Sequence, residues 1–151
     1  MRAGELGDPD LEEARRLLRE DRVALAVVKD GQVLAARHGA GLAPLYWTVK
    51  ELGERLQGAR VADRVVGRAA ALLLLYAGVA AAFGELMSQS AHALLTQKDL
   101  PHAWGKLVSG IFTPNGDPCP METLVADTDD PVEAFRRLAQ ALEAHGRKER
   151  S

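Results

Sequence analysis

Apolar residues recur along the chain at helical and strand spacings and predict alternating helices and strands. Asp8 followed by Pro9 predicts a capped helix to about Glu20, because apolar residues then recur at positions 11, 14, 17 and 18. Two β-rich runs, 23–28 and 33–36, flank an Asp-Gly pair at positions 30 and 31. Asp-Gly between apolar runs predicts a hairpin, because its tight turn needs positive φ at both central residues.

The rest of the pattern predicts two more strands and five more helices. A third helix, opened by Val61-Ala62-Asp63 and continuing to Ala77, is apolar on nearly every side, which predicts that it is buried. The last helix begins with the capping box Asp130-Pro131-Val132-Glu133, and we expect the tail after Gly146 to be disordered. The other expected elements are a helix from Pro44 ended by Gly58, a strand over 79–87, a helix from Ser88 or Ser90 to Gln97, a strand over 101–107 and a short helix near Pro120.

This order predicts one α/β domain over residues 1–151, with an ordered core of about 8–145 and helices on both faces of a sheet. The longest apolar run, 69–83, is shorter than the roughly 20 residues that a membrane helix needs, and Gly78 divides it. The first ten residues lack the apolar core of a secretory signal. We therefore expect a cytoplasmic protein that does not bind membranes.

Composition and charge narrow the chemistry. The net charge is −2 and aromatic residues make up 5%, with no cluster of lysine and arginine interleaved with aromatics, which argues against a nucleic-acid partner. Cys119 is the single cysteine, so an internal disulfide and a zinc ribbon are both excluded.

Three segments carry a resemblance: VVKDGQVLAARHGAGLAPL, GARVADRVVGRAAALLL and CPMETLV. Together they resemble a small prokaryotic family, a domain of unknown function classed with the cytidine deaminase-like folds, over roughly residues 10–142. The resemblance implies a fold and no established activity. The fold class that it implies is α/β, a three-layer α/β/α sandwich around a mixed sheet.

Zinc deaminases carry H-A-E at the start of one helix and P-C-x-x-C at the start of the next. On the predicted elements, Val61 stands at the position of the histidine ligand and Asp63 at that of the proton-shuttling glutamate. The following helix starts without cysteine, and PCPME at 118–122 comes one strand–helix unit later, with Glu122 at the second cysteine position. At most one zinc ligand is retained, so we expect no metal site and no cofactor.

Asp63 and Cys119 are the candidate catalytic residues. Asp63 is either an N-terminal cap or a proton-transfer or ligand-orienting group beside a pocket. Cys119, between two prolines at a helix start, is either a nucleophile or a small buried anchor for its loop. The histidines show no ligand spacing; His38, His92 and His102 approach Cys119 only if the fold brings them there.

The candidate ligand-binding residues are Arg68, Gly39, Gly41, Ser88 and Glu122. Arg68 is either salt-bridged or an anion-binding arm, because a charge in an apolar helix must be paired or reach solvent. The Gly39-x-Gly41 loop either cradles phosphate or only turns the chain, since Pro44 stands where a dinucleotide fingerprint needs its third glycine. Glu122 either contacts ligand or satisfies the N-terminus of the short helix.

Three functions remain open. The first is a metal-free deaminase-like protein that binds a small ligand of the nucleotide type. The second is an enzyme of another chemistry that uses Cys119 and Asp63. The third is a homodimeric interaction or structural protein, suggested by the apolar density of residues 69–83 in a chain of 151 residues. Fold alone does not choose among them.

Overall fold

The computed structural model describes residues 7–150, with side chains through Ala144. Six α-helices, five strands and one 3₁₀ helix alternate along this part of the chain. In order they are α1 (Pro9–Glu20), β1 (Leu25–Lys29), β2 (Gln32–Arg37), α2 (Ala43–Leu52), the 3₁₀ helix (Gly53–Leu56), β3 (Arg60–Val66), α3 (Arg68–Ala77), β4 (Ala81–Ser88), α4 (Gln89–Gln97), β5 (His102–Val108), α5 (Pro120–Leu124) and α6 (Pro131–Arg150).

The strands form one mixed sheet in the order β2-β1-β3-β4-β5. β1 is antiparallel to both of its neighbours, whereas β3, β4 and β5 are parallel. Helix α1 packs its leucines on one face, and α2, α3, α4 and α6 bury theirs on the other. The predicted fold class, a three-layer α/β/α sandwich with a mixed sheet, is therefore confirmed.

Short-range signals in the sequence act as predicted. The Asp8 carboxylate caps α1 by accepting from the Leu11 N–H at 3.1 Å. Asp30 and Gly31 form the hairpin turn with φ of 51° and 76°. Ser88 caps α4, because its hydroxyl oxygen accepts from the Ala91 N–H at 3.0 Å. Each of these contacts spans at most three residues, which explains why a local pattern was enough to predict it.

The predicted third helix is wrong in its first part. Val61-Ala62-Asp63 lies in the central strand β3, and α3 begins only at Arg68, after Gly67. Val61 packs into the core on one face of the sheet and Ala62 into the core on the other. A strand buried on both faces is apolar nearly throughout, so its periodicity cannot be distinguished from that of a buried helix.

Most of the apolar run that suggested a homodimer is covered within the chain. Residues 69–74 of α3 are all at most 2% exposed. Tyr76, near the end of the helix, is 41% exposed and stacks on Phe135. The homodimer stays a prediction.

The chain ends differ from expectation in one respect. The tail predicted to be disordered continues α6 through Arg150. The prediction that the N-terminus carries no secretory signal concerns mostly residues 1–6, which lie outside the described residues. Ser151 also lies outside them. Within the described part of the chain, no helix combines the length and the apolar character needed to cross a membrane.

Candidate functional site

A cavity of about 460 Å³, the front cavity, opens at the carboxyl end of β3 on the face covered by α2 and α3. Its walls are mostly apolar and come from five parts of the chain: the residue before β1, the loop after β2, the end of β3, the start of α3, and the loop that leads into α5 together with α5 itself. The lining residues are Ala24, Gly39, Ala40, Gly41, Leu42, Asp63, Arg64, Val65, Gly67, Ala69, Ala70, Ile111, Phe112, Thr113, Pro114, Cys119, Met121 and Glu122.

Asp63 is a buried carboxyl group without a counter-charge. It is 8% exposed, and no cationic side chain among residues 7–144 forms an ion pair with it. The N–H of Val65 donates to its Oδ1 at 3.3 Å, and the N–H of Arg64 also donates to it. Burial raises the pKa of Asp63 to about 7, because desolvation of the charged form outweighs the two backbone hydrogen bonds. The group can therefore donate or accept a proton near neutral pH.

Glu122 is the second carboxyl group of the front cavity, and it is firmly bound. Its two carboxylate oxygens accept from the N–H groups of Arg68 and Ala69, each at 2.7 Å. These are unpaired donors of the first turn of α3, whose N-cap residue, Gly67, has no side chain to satisfy them. Glu122 thus caps α3 from a position 54 residues away from Arg68. The sequence analysis predicted that Glu122 satisfies the N-terminus of its own short helix, α5. Glu122 does satisfy a helix N-terminus, but the helix is α3.

Gly67 is required by this cap. A Cβ atom at this position would lie 2.3 Å from Oε1 of Glu122 and 2.8 Å from Cγ1 of Ile111. Neither approach is tolerated, so any larger residue would displace the carboxylate from the helix. The sequence analysis missed Gly67, although a glycine just before a long apolar helix is a signal that could have separated strand from helix.

Arg68 reaches away from the front cavity and ties α3 to the segment after α5. Its guanidinium donates to the carbonyl oxygens of Val125 at 3.1 Å and Thr128 at 2.7 Å, and it is ion-paired with Asp129. Arg68 and Ser88 line a separate depression of about 240 Å³ and not the front cavity. Together with Glu122, Arg68 braces the start of α3 against residues 122–129.

Cys119 and the two glycines do line the front cavity. Cys119 is half-buried, and its N–H donates to the Ile111 carbonyl at 3.0 Å, which holds the loop over the cavity mouth. Gly39 and Gly41 have φ of 127° and 69°, so both adopt conformations that favour glycine. These angles explain the glycines by the turn itself, and a phosphate cradle stays a prediction.

The histidines whose side chains are described lie elsewhere. His92 and His102 contact one another, with Nδ1 and Nε2 2.8 Å apart, and pack beside Trp104. His38 lines a smaller depression of about 280 Å³ beside α2. Across residues 7–144 there is also no group of three or more histidine, cysteine, aspartate or glutamate side chains placed to hold a metal ion.

Sequence comparison assigns the chain to a family. The profile of a domain of unknown function, DUF1893, matches residues 13–142. The chain belongs to the DUF1893 family. No curated protein matches the sequence. The family resemblance inferred from the three sequence segments is therefore confirmed for the family itself.

One solved structure supports the fold of this DUF1893 chain. The crystal structure of a DUF1893 family protein (TM1506) from Thermotoga maritima is similar, with a TM-score of 0.81 and 24% identity over 89% of this chain and 91% of that chain. RibD of Acinetobacter baumannii is a partial match, with a TM-score of 0.48 and 16% identity over 64% of this chain and 35% of that one. The first comparison shows the fold alone, and the second is too weak to carry an argument.

Five of the seven predicted site residues of the DUF1893 chain meet at the front cavity: Asp63, Cys119, Gly39, Gly41 and Glu122. Arg68 and Ser88 do not line it. The sequence analysis missed most of the apolar wall, including Val65, Phe112 and Met121. No local signal marks these residues, because they come together only when the loop after β5 folds back over β3.

Proposed function

We propose that the DUF1893 chain binds a small heterocyclic ligand of the nucleobase type in the front cavity and recognises it through Asp63. The observation that carries this proposal is a buried carboxyl group, without a counter-charge, in a mostly apolar cavity of about 460 Å³. That volume is in the range of small-molecule sites, which combine apolar walls with a few well-placed polar groups.

The chemistry of Asp63 fits a ligand with adjacent donor and acceptor atoms. With a pKa raised to about 7, the carboxyl group is largely protonated below neutral pH. It then offers an O–H donor and a carbonyl acceptor side by side. A ring nitrogen next to an exocyclic amino group is the complement of this pair, as on the hydrogen-bonding edge of cytosine or adenine.

We further propose that the domain is a deaminase-like fold without the zinc ligands. The starts of two successive helices, α2 and α3, face the front cavity, since it is lined by Leu42 and by Gly67. If the deaminase pattern is carried to these two helix starts instead of Val61–Asp63, residues 39–43 read GAGLA and residues 67–71 read GRAAA. Neither segment contains histidine or cysteine, and Glu122 holds the N–H groups at the start of α3.

Ligand-observed NMR with cytosine, cytidine, adenine and adenosine tests the proposal. We expect at least one of them to bind the wild type, and Asp63→Ala to weaken that binding by about tenfold, because alanine makes none of the hydrogen bonds that the carboxyl group makes to the ligand. Asp63→Asn should keep most of the binding, because its amide also offers an N–H donor beside a carbonyl acceptor. The matched control is Asp21→Ala, at an exposed residue after α1. No binding by any of the four compounds, or equal losses in Asp63→Ala and Asp21→Ala, would contradict ligand recognition by Asp63. Stoichiometric zinc in native mass spectra would contradict the proposal that the domain lacks the zinc ligands.

A second candidate function is an enzyme that uses Cys119 as nucleophile. The observation that favours it is that Cys119 and Asp63 line the same cavity, and that the pKa of Asp63 suits a general base near neutral pH. Among the described side chains no histidine lines this cavity, so Asp63 would have to take that role.

The rate of alkylation of Cys119 by iodoacetamide between about pH 5 and pH 9 tests this second function. If Asp63 activates the thiol, Asp63→Asn lowers the rate and removes an inflection near pH 7. An unchanged rate profile in the Asp63→Asn variant would leave Cys119 as a loop anchor.

A further inference from the structure

On the opposite face of β3, a groove of about 620 Å³ is lined by Arg15, Leu18, Arg19, Arg22, Arg64, Phe83 and Glu85. We refer to it as the arginine groove. Four of its seven lining residues are arginines, and one is an acid. This is a concentration of positive charge on a chain whose net charge is −2. The groove lies on the α1 face of the sheet, and Arg64 is the one lining residue that it shares with the front cavity.

The positive charge of the arginine groove is only partly neutralised. Arg64 pairs with Glu85 at 3.1 Å, with both side chains substantially exposed. Among the described side chains, Arg19 has only a long contact of 3.9 Å with its neighbour Glu20. Among the side chains of residues 7–144, none forms a hydrogen bond or ion pair with the guanidinium of Arg22. Surface pairs of this kind contribute little energy and exchange readily for a stronger anionic ligand.

Three separate elements bring these arginines together. Arg15 and Arg19 are four residues apart and therefore lie on one side of α1. Arg22 follows the helix in a left-handed conformation, with φ of 55°, and Arg64 projects from β3. Arg64 also donates to the Leu18 carbonyl oxygen at 3.0 Å, which holds the end of α1 against the sheet. The arginines thus border one concave space and do not form a stripe along the surface.

The floor of the groove favours a compact anion over a nucleic-acid strand. Phe83 is 6% exposed, and the guanidinium carbon of Arg15 lies 4.3 Å from its ring centroid. Single-stranded nucleic acid needs exposed aromatic faces on which successive bases stack, and this ring is already covered. Guanidinium groups instead match the paired oxygens of phosphate, which they bind through two parallel hydrogen bonds.

We propose that the arginine groove is a second binding site and that it takes a ligand with two linked phosphate groups, either free diphosphate or the diphosphate of a nucleotide. Arg19 and Arg22, which have the weakest internal partners, bind the phosphate oxygens directly. Arg64 positions the end of α1 and exchanges Glu85 for the ligand. Unlike the proposed function, this site does not involve Asp63.

Isothermal titration of the wild-type chain with inorganic diphosphate at about 0.15 M salt tests the site, because weak surface attraction is largely screened there. We expect one diphosphate to bind per chain. Arg19→Gln and Arg22→Gln should each weaken it by about tenfold, since each removes charge-assisted hydrogen bonds. Glu85→Gln should tighten it by several-fold, because it removes the competing carboxylate. The control is Arg55→Gln, at an exposed arginine on the 3₁₀ helix that lines neither cavity.

Parallel titrations identify the source of the phosphates. Equal affinity for diphosphate and for a nucleoside diphosphate assigns the site to the phosphates alone, and tighter binding of the nucleoside diphosphate assigns it to a nucleotide; both support the proposal. Absence of diphosphate binding at about 1 mM would overturn it. So would losses in Arg19→Gln and Arg22→Gln no larger than in Arg55→Gln, or binding of single-stranded RNA that diphosphate does not displace.

Discussion

Asp63 and Arg64 are adjacent on β3, yet their side chains have opposite surroundings. Asp63 shares the face of Val61 and is buried in the front cavity, where no cation among the described side chains pairs with it. Arg64 shares the face of Ala62 and lines the arginine groove as well as the front cavity, and it stays in contact with solvent and with Glu85. The alternation of side chains along a strand creates both environments from neighbouring residues. The two side chains differ in their access to water. Burial disfavours the charged form of Asp63, whereas Arg64 is partly exposed and stays charged.

The largest expected effect concerns Asp63 and pH. Its pKa is about 7 in the folded chain against an ordinary value of 3.8, so between about pH 4 and pH 7 the folded state binds more protons than the unfolded state. The free energy of unfolding should therefore fall as pH rises through this window, by up to about 4 kcal/mol in total. Urea denaturation at several pH values measures it.

Asp63→Asn should remove this fall, whereas Asp21→Asn should leave it in place. The carboxyl groups of Asp8, Asp127 and Glu133 have lowered pKa values, so their stabilising contributions are lost as pH falls below about 5, at the acid edge of the window. Burial lowers the pKa of His102, so this group adds a slope of opposite sign within the window, and that slope is common to the wild type and both variants. A fall of the same size in the Asp63→Asn variant would mean that Asp63 is ionised and solvated in the folded chain. The contrast between the two sides of β3 would then be wrong.

The second effect concerns the other carboxyl group of the front cavity. Glu122→Ala leaves two N–H groups of α3 without partners, and we expect a loss of about 1–3 kcal/mol in the free energy of unfolding. Glu122→Gln keeps an acceptor oxygen and should lose less. Both are measured by chemical denaturation at about pH 7.

Gly67→Ala should cost a similar amount, because its Cβ displaces the same carboxylate. The double variant Gly67→Ala with Glu122→Ala should then lose less than the sum of the two single changes. Full additivity would show that the close approach of Gly67 and Glu122 does not determine the stability of this helix start.

On the groove side we expect a smaller effect from Arg64→Gln. It removes the hydrogen bond to the Leu18 carbonyl and the exposed pair with Glu85, for a loss of about 1 kcal/mol. Hydrogen exchange at the end of α1 should increase more than exchange in α3. Arg55→Gln is the control, and equal protection of α1 in both variants would argue against a positioning role for Arg64.

The smallest expected effect on stability concerns the two arginines with the weakest internal partners, Arg19 and Arg22. Arg19→Gln and Arg22→Gln should change the free energy of unfolding by less than about 0.5 kcal/mol, because both side chains are exposed and have no strong partner. At low salt the change should be slightly stabilising, since it reduces repulsion among the arginines. A loss of more than about 1 kcal/mol in thermal or urea denaturation would mean that these arginines serve the fold and not a ligand.

The sequence alone could identify most of the candidate site residues, but not the elements on which they lie or the contacts that hold them. Glycines at a helix approach, a carboxylate in an apolar stretch, a single cysteine and the glutamate three residues after it singled out five residues of the front cavity. The analysis nevertheless placed Asp63 on a helix, because β3 is buried on both faces and so shows no alternation. It could not find the cap on α3, because Glu122 and Arg68 are 54 residues apart. The arginine groove was missed for the same reason, since Arg64 joins α1 only across the sheet.

The amino-acid sequence by itself determined the caps and turns and the presence of helices on both faces of the sheet. The cap at Asp8, the turn at Asp30-Gly31 and the start of α4 at Ser88 each depend on contacts within three residues. Tertiary structure alone decided that Glu122 caps α3, that Asp63 is buried with no counter-charge among the described side chains, and on which side of β3 the charges face water. Those outcomes depend on burial and on long-range hydrogen bonds, which no local pattern encodes.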